Sequence, residues 1–411
     1  MRGKRGAAGR PGARRTGILR SMLRAGVAMS LEPDPLRAAE EAAAAALAGA
    51  GASRAEAALL FASVHHAPAA ERLCAAAVER LGTTAVVGAT AHGIIAGGLE
   101  EQERPALGIL VLTGVEAAPF LLRDLAGVED AAGPEIEAVL GGSAGERDLV
   151  VVLADSLALD PQRLLRGLDL TLGPATLVGA GAALGASGRS LVWSGREVAA
   201  DAVSGLALRL ARPPRTVLTQ GCLPITESLC VTGAEGHWIL ELDGRPALDV
   251  YREVARGPLA ADLRRAAERL VVALPRPRGR EAQDPGAAAY VARNVAGFAP
   301  ERGAFALVEE LRPGARIHLA LRDAGLARED LKRALEGMRA GASAGDPAAG
   351  LYLSCSGRGR DLFEHAGLET AYVAQALEPA PVGGMFAAFP FGPVAGATER
   401  LTYAGVLALL G

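Results

Sequence analysis

The sequence predicts an α/β protein with two tandem lobes, each a mixed β-sheet flanked by helices. Segments of helix-forming composition alternate with short apolar segments along the 411 residues, which is the pattern of α/β folds. The runs PALGILVLTG (105–114) and DLVVVLAD (148–155) are almost wholly apolar, as expected of strands buried on both faces. RSLVWSGREVAA (189–200) has the pattern of a hairpin, so some antiparallel pairing is expected as well. A chain of this length usually folds as two domains.

The first lobe is predicted over residues 35–211. Residues 35–50 have helix-forming composition, and a second helix is expected over Glu71–Leu81. TTAVVGA then indicates a buried strand that ends in the glycine loop TAHGIIAGG. After the two long strand segments, PQRLLRGL (161–168) has helical spacing with proline in its first turn, and ATLVGAG is the next strand.

The second lobe is predicted over residues 212–411, beginning with RPPR (212–215) and a strand-rich connector. HWILELDGRPALDVYREV indicates a strand, a DG turn and a helix, and REDLKRALEGM indicates an amphipathic helix. PRPRGREAQDPG (275–286) is expected to be an exposed loop. GGSAGERDLVVVLAD and GASAGDPAAGLYLSC both place G-x-S-A-G before an apolar strand, which is compatible with an internal duplication of one lobe.

Residues 1–34 are predicted to be a disordered basic leader, with Met22 or Met29 as alternative start positions. The first 24 residues are rich in arginine and contain no acid, but no apolar segment of signal-peptide quality follows them. A net charge of −3 gives no electrostatic reason to bind nucleic acid or an anionic membrane. Four cysteines without a CxxC pair predict a reducing, cytoplasmic location. No apolar run reaches the length of a membrane span.

Three motif-like features are interpreted as structural. The G-x-S-x-G matches at Ser143 and Ser343 precede their strands, whereas a hydrolase nucleophile follows its strand. GAGAALG (179–185) lacks the spacing of a dinucleotide-binding loop. The six histidines show no metal-ligand spacing, so no metal site is predicted.

The loop LYLSCSGRGRDLFE (351–364) raises the main question about function, because a cysteine ends its apolar run. Cys355 would need a base to act as a nucleophile, and no adjacent pattern supplies one. In the alternative interpretation, Gly357 and Gly359 let backbone N–H groups face a ligand while Arg358 pairs with its carboxylate or phosphate. Contact of Cys355 with a metal or haem is a third alternative.

The glycine loop of the first lobe is the second candidate site. Thr90, His92 and Gly93 lie where a predicted strand ends, and open α/β sheets bind ligands at such strand ends. We therefore expect Thr90 and His92 to provide polar ligand contacts.

Five segments, in this order, resemble the FIST proteins, which have an N-terminal and a C-terminal FIST domain. They are ATAHGIIAGGLEEQERPALGILVL, ILELDGRPALDVYREV, VARNVAGF, LYLSCSGRGRDLF and GGMFAAFPFGPVAG. The resemblance covers the chain from about residue 35 to its end, and the CxGRG loop is among its most specific parts. It implies a bacterial sensory module that binds a small ligand such as an amino acid; some relatives resemble haem-binding nitric-oxide sensors.

The sequence departs from the family pattern at two places. The first loop has Ala89 where relatives often have cysteine, and Phe389 and Pro390 stand where a glycine and a glutamate are usual. Loss of that carboxylate and gain of a phenylalanine favour a less cationic, more apolar ligand.

Three hypotheses about function follow. The leading one is a sensory protein that binds an amino acid or another small carboxylate at strand-end glycine loops, without a cofactor, and signals through a downstream protein. The second is a haem-based gas sensor with His92 or Cys355 as axial ligand. The third is a cysteine-dependent enzyme.

Overall fold

The computed structural model describes residues 22–123, 128–157, 160–256, 261–276, 290–341 and 345–411. Most of the predicted leader and of the predicted loop at 275–286 lies outside these ranges.

The chain is built from three repeats with one order of elements: strand, helix, strand, helix, strand, hairpin, strand. The first contains β1 Arg24–Ser30, α1 Pro35–Gly49, β2 Ala57–Ser63, a 3-10 turn Val64–Ala69, α2 Ala70–Leu81, β3 Val86–Ala91, the hairpin β4 Gly93–Ala96 and β5 Leu99–Glu101, and β6 Leu107–Thr113. The second contains β7 Glu116–Leu122, α3 Val128–Leu140, β8 Asp148–Ala154, α4 Pro161–Leu172, β9 Thr176–Gly181, the hairpin β10 Val192–Ser194 and β11 Glu197–Ala199, and β12 Val203–Arg209.

The third repeat carries a large insertion after its first strand, β13 Arg215–Gln220. The insertion comprises β14 Cys222–Pro224, β15 Leu229–Glu235, β16 Trp238–Leu242, β17 Arg245–Pro246, α5 Ala247–Ala255, α6 Leu263–Ala267, β18 Leu270–Pro275, β19 Tyr290–Arg293, β20 Val295–Ala299, a 3-10 turn Pro300–Arg302, β21 Ala304–Leu307 and β22 Arg316–Arg322. The repeat resumes with α7 Ala324–Ala340, β23 Ala349–Cys355, α8 Arg360–Phe363, α9 Leu368–Leu377, β24 Val382–Ala387, the hairpin β25 Phe389–Val394 and β26 Ala397–Arg400, and β27 Ala404–Leu410.

Each repeat forms a sheet that is completed by the hairpin of another repeat. The three orders are β1-β6-β2-β3-β10-β11, β7-β12-β8-β9-β25-β26 and β13-β27-β23-β24-β4-β5. In each sheet the second and third strands of the repeat are parallel, and the other pairs are antiparallel. The hairpins are therefore exchanged cyclically: the first repeat gives its hairpin to the third, the third to the second, and the second to the first.

A closed ring of backbone hydrogen bonds joins the repeats where their third strands end. Each repeat donates one N–H group to a backbone carbonyl of another repeat. Ala183 donates to Thr90 at 2.8 Å, Ala388 to Gly181 at 3.1 Å, and His92 to Phe386 at 2.8 Å. Because the ring closes, the carboxyl ends of all three third strands meet at one end of the molecule.

A glycine lies in each third strand where the incoming hairpin places a bulky side chain. The opposed pairs are Gly88 with Trp193, Gly179 with Phe391, and Gly384 with Ile95. A Cβ at these glycines would lie 1.7–1.9 Å from a carbonyl oxygen of the second strand, of Leu60, Val152 and Tyr352 respectively. The close approach of the backbones therefore requires glycine at all three positions.

One apolar core lies between the three sheets, and smaller cores lie under the helices outside them. The central core takes residues from every sheet, among them Leu59, Val151 and Leu353. The outer cores form under α1 and α2, under α3 and α4, and under α7 and α9. The strands are buried on both faces because a core covers each side, as their continuous apolar runs predict.

Aspartate begins the main helices. Asp34 accepts hydrogen bonds from the N–H groups at the start of α1, and Asp160 does so for α4; each precedes a proline at the first helical position. Asp323 caps α7 in the same way. These caps satisfy N–H groups that have no partner within the helix.

The insertion forms a further antiparallel sheet in the order β19-β18-β22-β15-β16-β21-β20, with β14 paired to β22 and β17 to β16. The predicted strand, DG turn and helix at 237–254 are β16, β17 and α5.

The predicted fold class is confirmed: the protein is α/β with mixed sheets flanked by helices, and its two-lobed arrangement fits tandem N-terminal and C-terminal domains. The G-x-S-A-G echo precedes β8 in the second repeat and β23 in the third, which are equivalent places; Ser343 itself lies outside the described residues. The boundary at 211–212 stays a prediction. The prediction of a disordered leader is wrong for residues 24–30, which form β1 and pair with β6 along seven residues.

Among the described residues, no helix is both long and apolar enough to cross a membrane.

Candidate functional site

The two loops predicted to bind a ligand come together around Phe386. The His92 N–H donates to the Phe386 carbonyl, and Gly93 pairs with Phe386 in the sheet. From the other side, Gly359 has φ +55°, and a Cβ there would lie 2.8 Å from the Phe386 ring. The exchange of β4 and β5 thus brings together loops that are more than 250 residues apart, but the Phe386 ring fills the space between them.

Arg358 is an internal residue and binds a carboxylate of the protein itself. Its Nε donates to Oε1 of Glu369 in α9 at 2.7 Å, and neither side chain is exposed. The guanidinium also donates to the Tyr403 carbonyl at 3.3 Å and to the Thr219 hydroxyl at 3.5 Å, and it lies 5.5 Å from the centroid of the Phe363 ring. This corrects the prediction that Arg358 pairs with an anionic ligand.

Glu369 accepts several further hydrogen bonds. The Tyr352 hydroxyl donates to it, as do the Ser354 hydroxyl at 3.2 Å and the Gly359 N–H at 3.1 Å. The CxGRG loop is therefore fixed from inside the fold, through its arginine and its second glycine.

Cys355 ends β23 and is 5% exposed. Burial raises the pKa of its thiol, and it outweighs the N–H groups of Gly357 and Tyr403 and the charge of Arg358, which act in the opposite direction. Because the thiolate is the reactive form, this environment disfavours a nucleophile.

The other repeats show what the position of Cys355 does. In the second strand of each repeat, one carbonyl faces the glycine of the third strand. The residue three positions after that carbonyl has a small, buried side chain with a polar or sulfur atom: Ser63, Asp155 and Cys355. Ser63 accepts a hydrogen bond from the Ala106 N–H at 3.0 Å, just before the closing strand β6. Cys355 receives the N–H of Tyr403, just before the closing strand β27. The thiol therefore occupies a place where the fold needs a hydrogen-bond acceptor.

The first loop has one residue that is open enough to meet a ligand. Thr90 is fully buried; its hydroxyl donates to the Ala183 carbonyl at 2.7 Å and accepts from the Leu191 N–H at 3.1 Å, which corrects its predicted ligand contact. Gly93 is buried in β4. His92 is partly exposed, and burial of its imidazole lowers the pKa, which favours the neutral ring.

Gly357 and Arg360 connect the CxGRG loop to the inserted sheet and to the first repeat. The Gly357 carbonyl accepts from Arg322 of the inserted sheet at 2.8 Å. The Arg360 N–H donates to Gln102 at 3.1 Å, and its guanidinium pairs with Glu103, both next to β5 of the first repeat. The loop is therefore a joint between the first repeat, the third repeat and the insertion.

Phe389, expected to favour an apolar ligand, packs within the fold. A Cβ at Gly181 would lie 2.6 Å from its ring, and the residue is 9% exposed. Among the described residues, no group of three or more His, Cys, Asp or Glu side chains is placed to hold a metal ion.

A cleft of about 600 Å³ lies beside the start of α2 and was not predicted. Its rim carries Arg72, Arg123 and Arg189, which belong to α2, the end of β7 and the segment before β10. No sequence motif links these arginines, because the exchange of the β10–β11 hairpin is what brings them together. Glu369 was missed as well; its only signal was an acid at the start of the helix LETAYVAQAL, most of whose residues are apolar.

Comparison with known proteins identifies the family. The FIST N domain matches residues 56–245 and the FIST C domain matches residues 247–393. The chain belongs to the FIST family, whose domains are small-ligand sensory domains in signal transduction.

Similar proteins occur in mycobacteria. An uncharacterized protein of Mycobacterium tuberculosis strain H37Rv is 33% identical over 384 residues, which is 91% of this chain and 96% of the relative. One from Mycobacterium bovis is 32% identical over 400 residues, which is 94% of this chain and 98% of the relative. Among solved structures, a cyanuric acid hydrolase from A. caulinodans matches 46% of this chain and 71% of its own at 14% identity; the TM-score of 0.25 is too low to support an argument.

Proposed function

We propose that the protein is a non-catalytic sensory module that binds a small ligand, an amino acid or another small carboxylate, and passes the signal to a partner protein. The main support is the placement of two side chains of the CxGRG loop. Its two chemically active side chains, the Cys355 thiol and the Arg358 guanidinium, are internal and engaged. A loop of this kind transmits or supports binding rather than attacking a substrate.

The arrangement of the loop supports signal transmission. It contacts the hairpin of the first repeat through Gln102 and the inserted sheet through Arg322. The loop itself belongs to the third repeat. A ligand that shifts the hairpin, the inserted sheet or the third repeat would therefore change the contacts of the other two, because the loop joins them.

A thermal-shift screen tests the proposal. Purified protein is heated with amino acids, small carboxylates and uncharged compounds of similar size. A ligand that binds the native state raises the melting temperature by mass action, so we expect one class of compound to stabilise the protein. A library that produces no stabilisation would contradict ligand sensing.

The same sample tests the two alternatives from the sequence. Haem binding through His92 or Cys355 stays a prediction, and a Soret band in the absorption spectrum would establish it. A cysteine-dependent enzyme requires fast alkylation of Cys355 at neutral pH, whereas the buried thiol predicts slow alkylation.

A further inference from the structure

We infer that the ligand site is the arginine cleft between α2 and the exchanged hairpin β10–β11, and that its ligand is a small carboxylate or phosphate with a short apolar part. The inference rests on the proposed sensory function and names the place and the chemistry of its ligand.

The three junctions between a helix and an incoming hairpin differ in their polar contacts. In the second repeat, Asp169 of α4 accepts from the Thr398 N–H at 2.7 Å and from its hydroxyl at 2.6 Å. In the third, Thr370 of α9 donates to the Gly98 carbonyl at 3.2 Å. In the first, within the described residues, no hydrogen bond joins the 3-10 turn or α2 to β10–β11. Two junctions are thus closed by hydrogen bonds. In the first, Trp193 and Val198 of the hairpin pack with α2 in an apolar core, and a cleft lies beside the start of the helix.

The lining of this cleft combines apolar side chains with arginines. The apolar ones include Ala67, Leu191 and Val198. The lining residues include three arginines and one acid, Glu71. The volume of about 600 Å³ is that of a small-molecule site. Apolar side chains together with three guanidinium groups favour an organic anion over a sugar or a cation.

The arginines of the cleft are available to a ligand. Arg123 pairs with Glu197 at 3.1 Å and Arg189 with Asp201 at 3.5 Å, and all four side chains are more than half exposed. Such pairs contribute little in water and exchange readily for a better acceptor. For Arg72, no ion pair is present among the described residues. A carboxylate or phosphate in the cleft can accept two N–H groups from one guanidinium, which a flexible surface pair rarely achieves.

Binding here would have a structural consequence. Arg72 belongs to the first repeat, whereas Arg123 and Arg189 belong to the second. An anion held by all three would close the first junction as Asp169 closes the second. The ligand would therefore add polar contacts between α2 and the second repeat, whose β10–β11 hairpin already pairs with β3 and packs on the helix.

Calorimetric titration with three probes tests the site. The probes are isovalerate, its uncharged analogue isovaleramide, and inorganic phosphate, which separates a carboxylate site from a phosphate site. The proteins are the wild type, the triple variant Arg72→Gln, Arg123→Gln, Arg189→Gln, and the control Arg196→Gln, which removes the same charge from the turn of the same hairpin outside the cleft. We expect isovalerate or phosphate to bind the wild type and the control alike, and the triple variant at least about tenfold more weakly. We also expect isovaleramide not to bind, and hydrogen exchange in 192–199 to slow on binding.

The outcomes separate this site from the sensory function. Any compound returned by the thermal-shift screen is titrated against the same variants. Equal binding to the wild type and the triple variant, or binding of the amide as tight as that of the acid, would overturn the cleft and leave ligand sensing intact. A screen in which nothing binds would remove both. Circular dichroism of the triple variant confirms that it is folded, as expected for substitutions at exposed side chains.

Discussion

At the scale of the residue, the fold is held by charges that have been removed from water. The Arg358–Glu369 pair is completely buried, so both groups have lost their hydration. The cost of that loss is offset by the short ion pair and by the donors around Glu369. Removing one partner leaves the other as an uncompensated buried charge, which is worse than removing both.

This predicts a large loss of stability for Arg358→Gln. We expect the free energy of unfolding to fall by about 3–5 kcal/mol, as is typical when a buried ion pair is broken from one side. Urea denaturation followed by circular dichroism measures it. Arg302→Gln, which breaks the largely exposed pair with Glu235, is the matched control and should leave the midpoint almost unchanged. Equal effects of the two substitutions would show that Arg358 is not the internal anchor described above.

The sequence identified the position of Arg358 but not its role. An arginine between two glycines is equally suited to a ligand and to an internal carboxylate, and only the packing of α9 on β23 decides between them. Glu369 is eleven residues away, in a segment with no charge pattern that distinguishes it from a surface helix. Thr90 and Cys355 were likewise recognised as special, but the partners of Thr90 come from the second repeat, and the N–H groups that reach Cys355 include one from Tyr403, 48 residues further on.

At the scale of the element, glycine permits the exchange of hairpins. Each third strand must accept the backbone of its parallel neighbour at a distance that excludes any side chain, and the bulky residue opposite fills the remaining space. The three glycines Gly88, Gly179 and Gly384 therefore perform one task in three places.

We predict that Gly179→Ala destabilises the protein by about 1–3 kcal/mol or more, because its Cβ would lie 1.9 Å from the Val152 carbonyl and force the backbones apart. Gly337→Ala in α7 is the control: nothing lies within 4 Å of its Cβ, and alanine is the better helix former by about 1 kcal/mol. Thermal unfolding should therefore show opposite shifts for the two variants. A shift of Gly179→Ala in the same direction as the control would contradict the close approach.

Most single elements could be predicted, whereas their assembly could not. α1 follows from alanine-rich composition after an Asp-Pro start, β8 from an unbroken apolar run, and the β10–β11 hairpin from its central SGR turn; all are local signals. The sheet to which a hairpin belongs depends on contacts between distant segments, and an alternating pattern is the same in either sheet. The echo between 141–145 and 341–345 showed two of the three repeats; the first, with different residues before β2, gave no such sign.

At the scale of the whole molecule, the exchange makes the two halves of the chain depend on each other. The sheet of the second repeat is completed by β25 and β26, and that of the third by β4 and β5. Each half therefore contributes a hairpin to a sheet of the other half, and the central core draws on all three sheets. Independent tandem domains would have neither property.

We predict that fragments 1–211 and 212–411, expressed separately, do not fold. In the first fragment β9 would lack its hairpin, and in the second β24 would lack its own, so each would expose an unpaired strand edge and part of the central core. Expressed together, the fragments should assemble into a heterodimer with the circular dichroism spectrum of the intact chain. The intact chain should unfold in a single calorimetric transition, since the central core draws on both halves of the chain. Two separable transitions, or a monomeric and folded fragment on size-exclusion chromatography, would show that the exchanged hairpins contribute little to the cohesion of the molecule.

Because the proposed ligand cleft lies between the first repeat and a hairpin of the second, fragment 1–211 contains all three of its arginines. If that fragment nevertheless fails to bind isovalerate while the co-expressed pair binds it, anion recognition depends on the assembled ring of repeats rather than on the arginines alone.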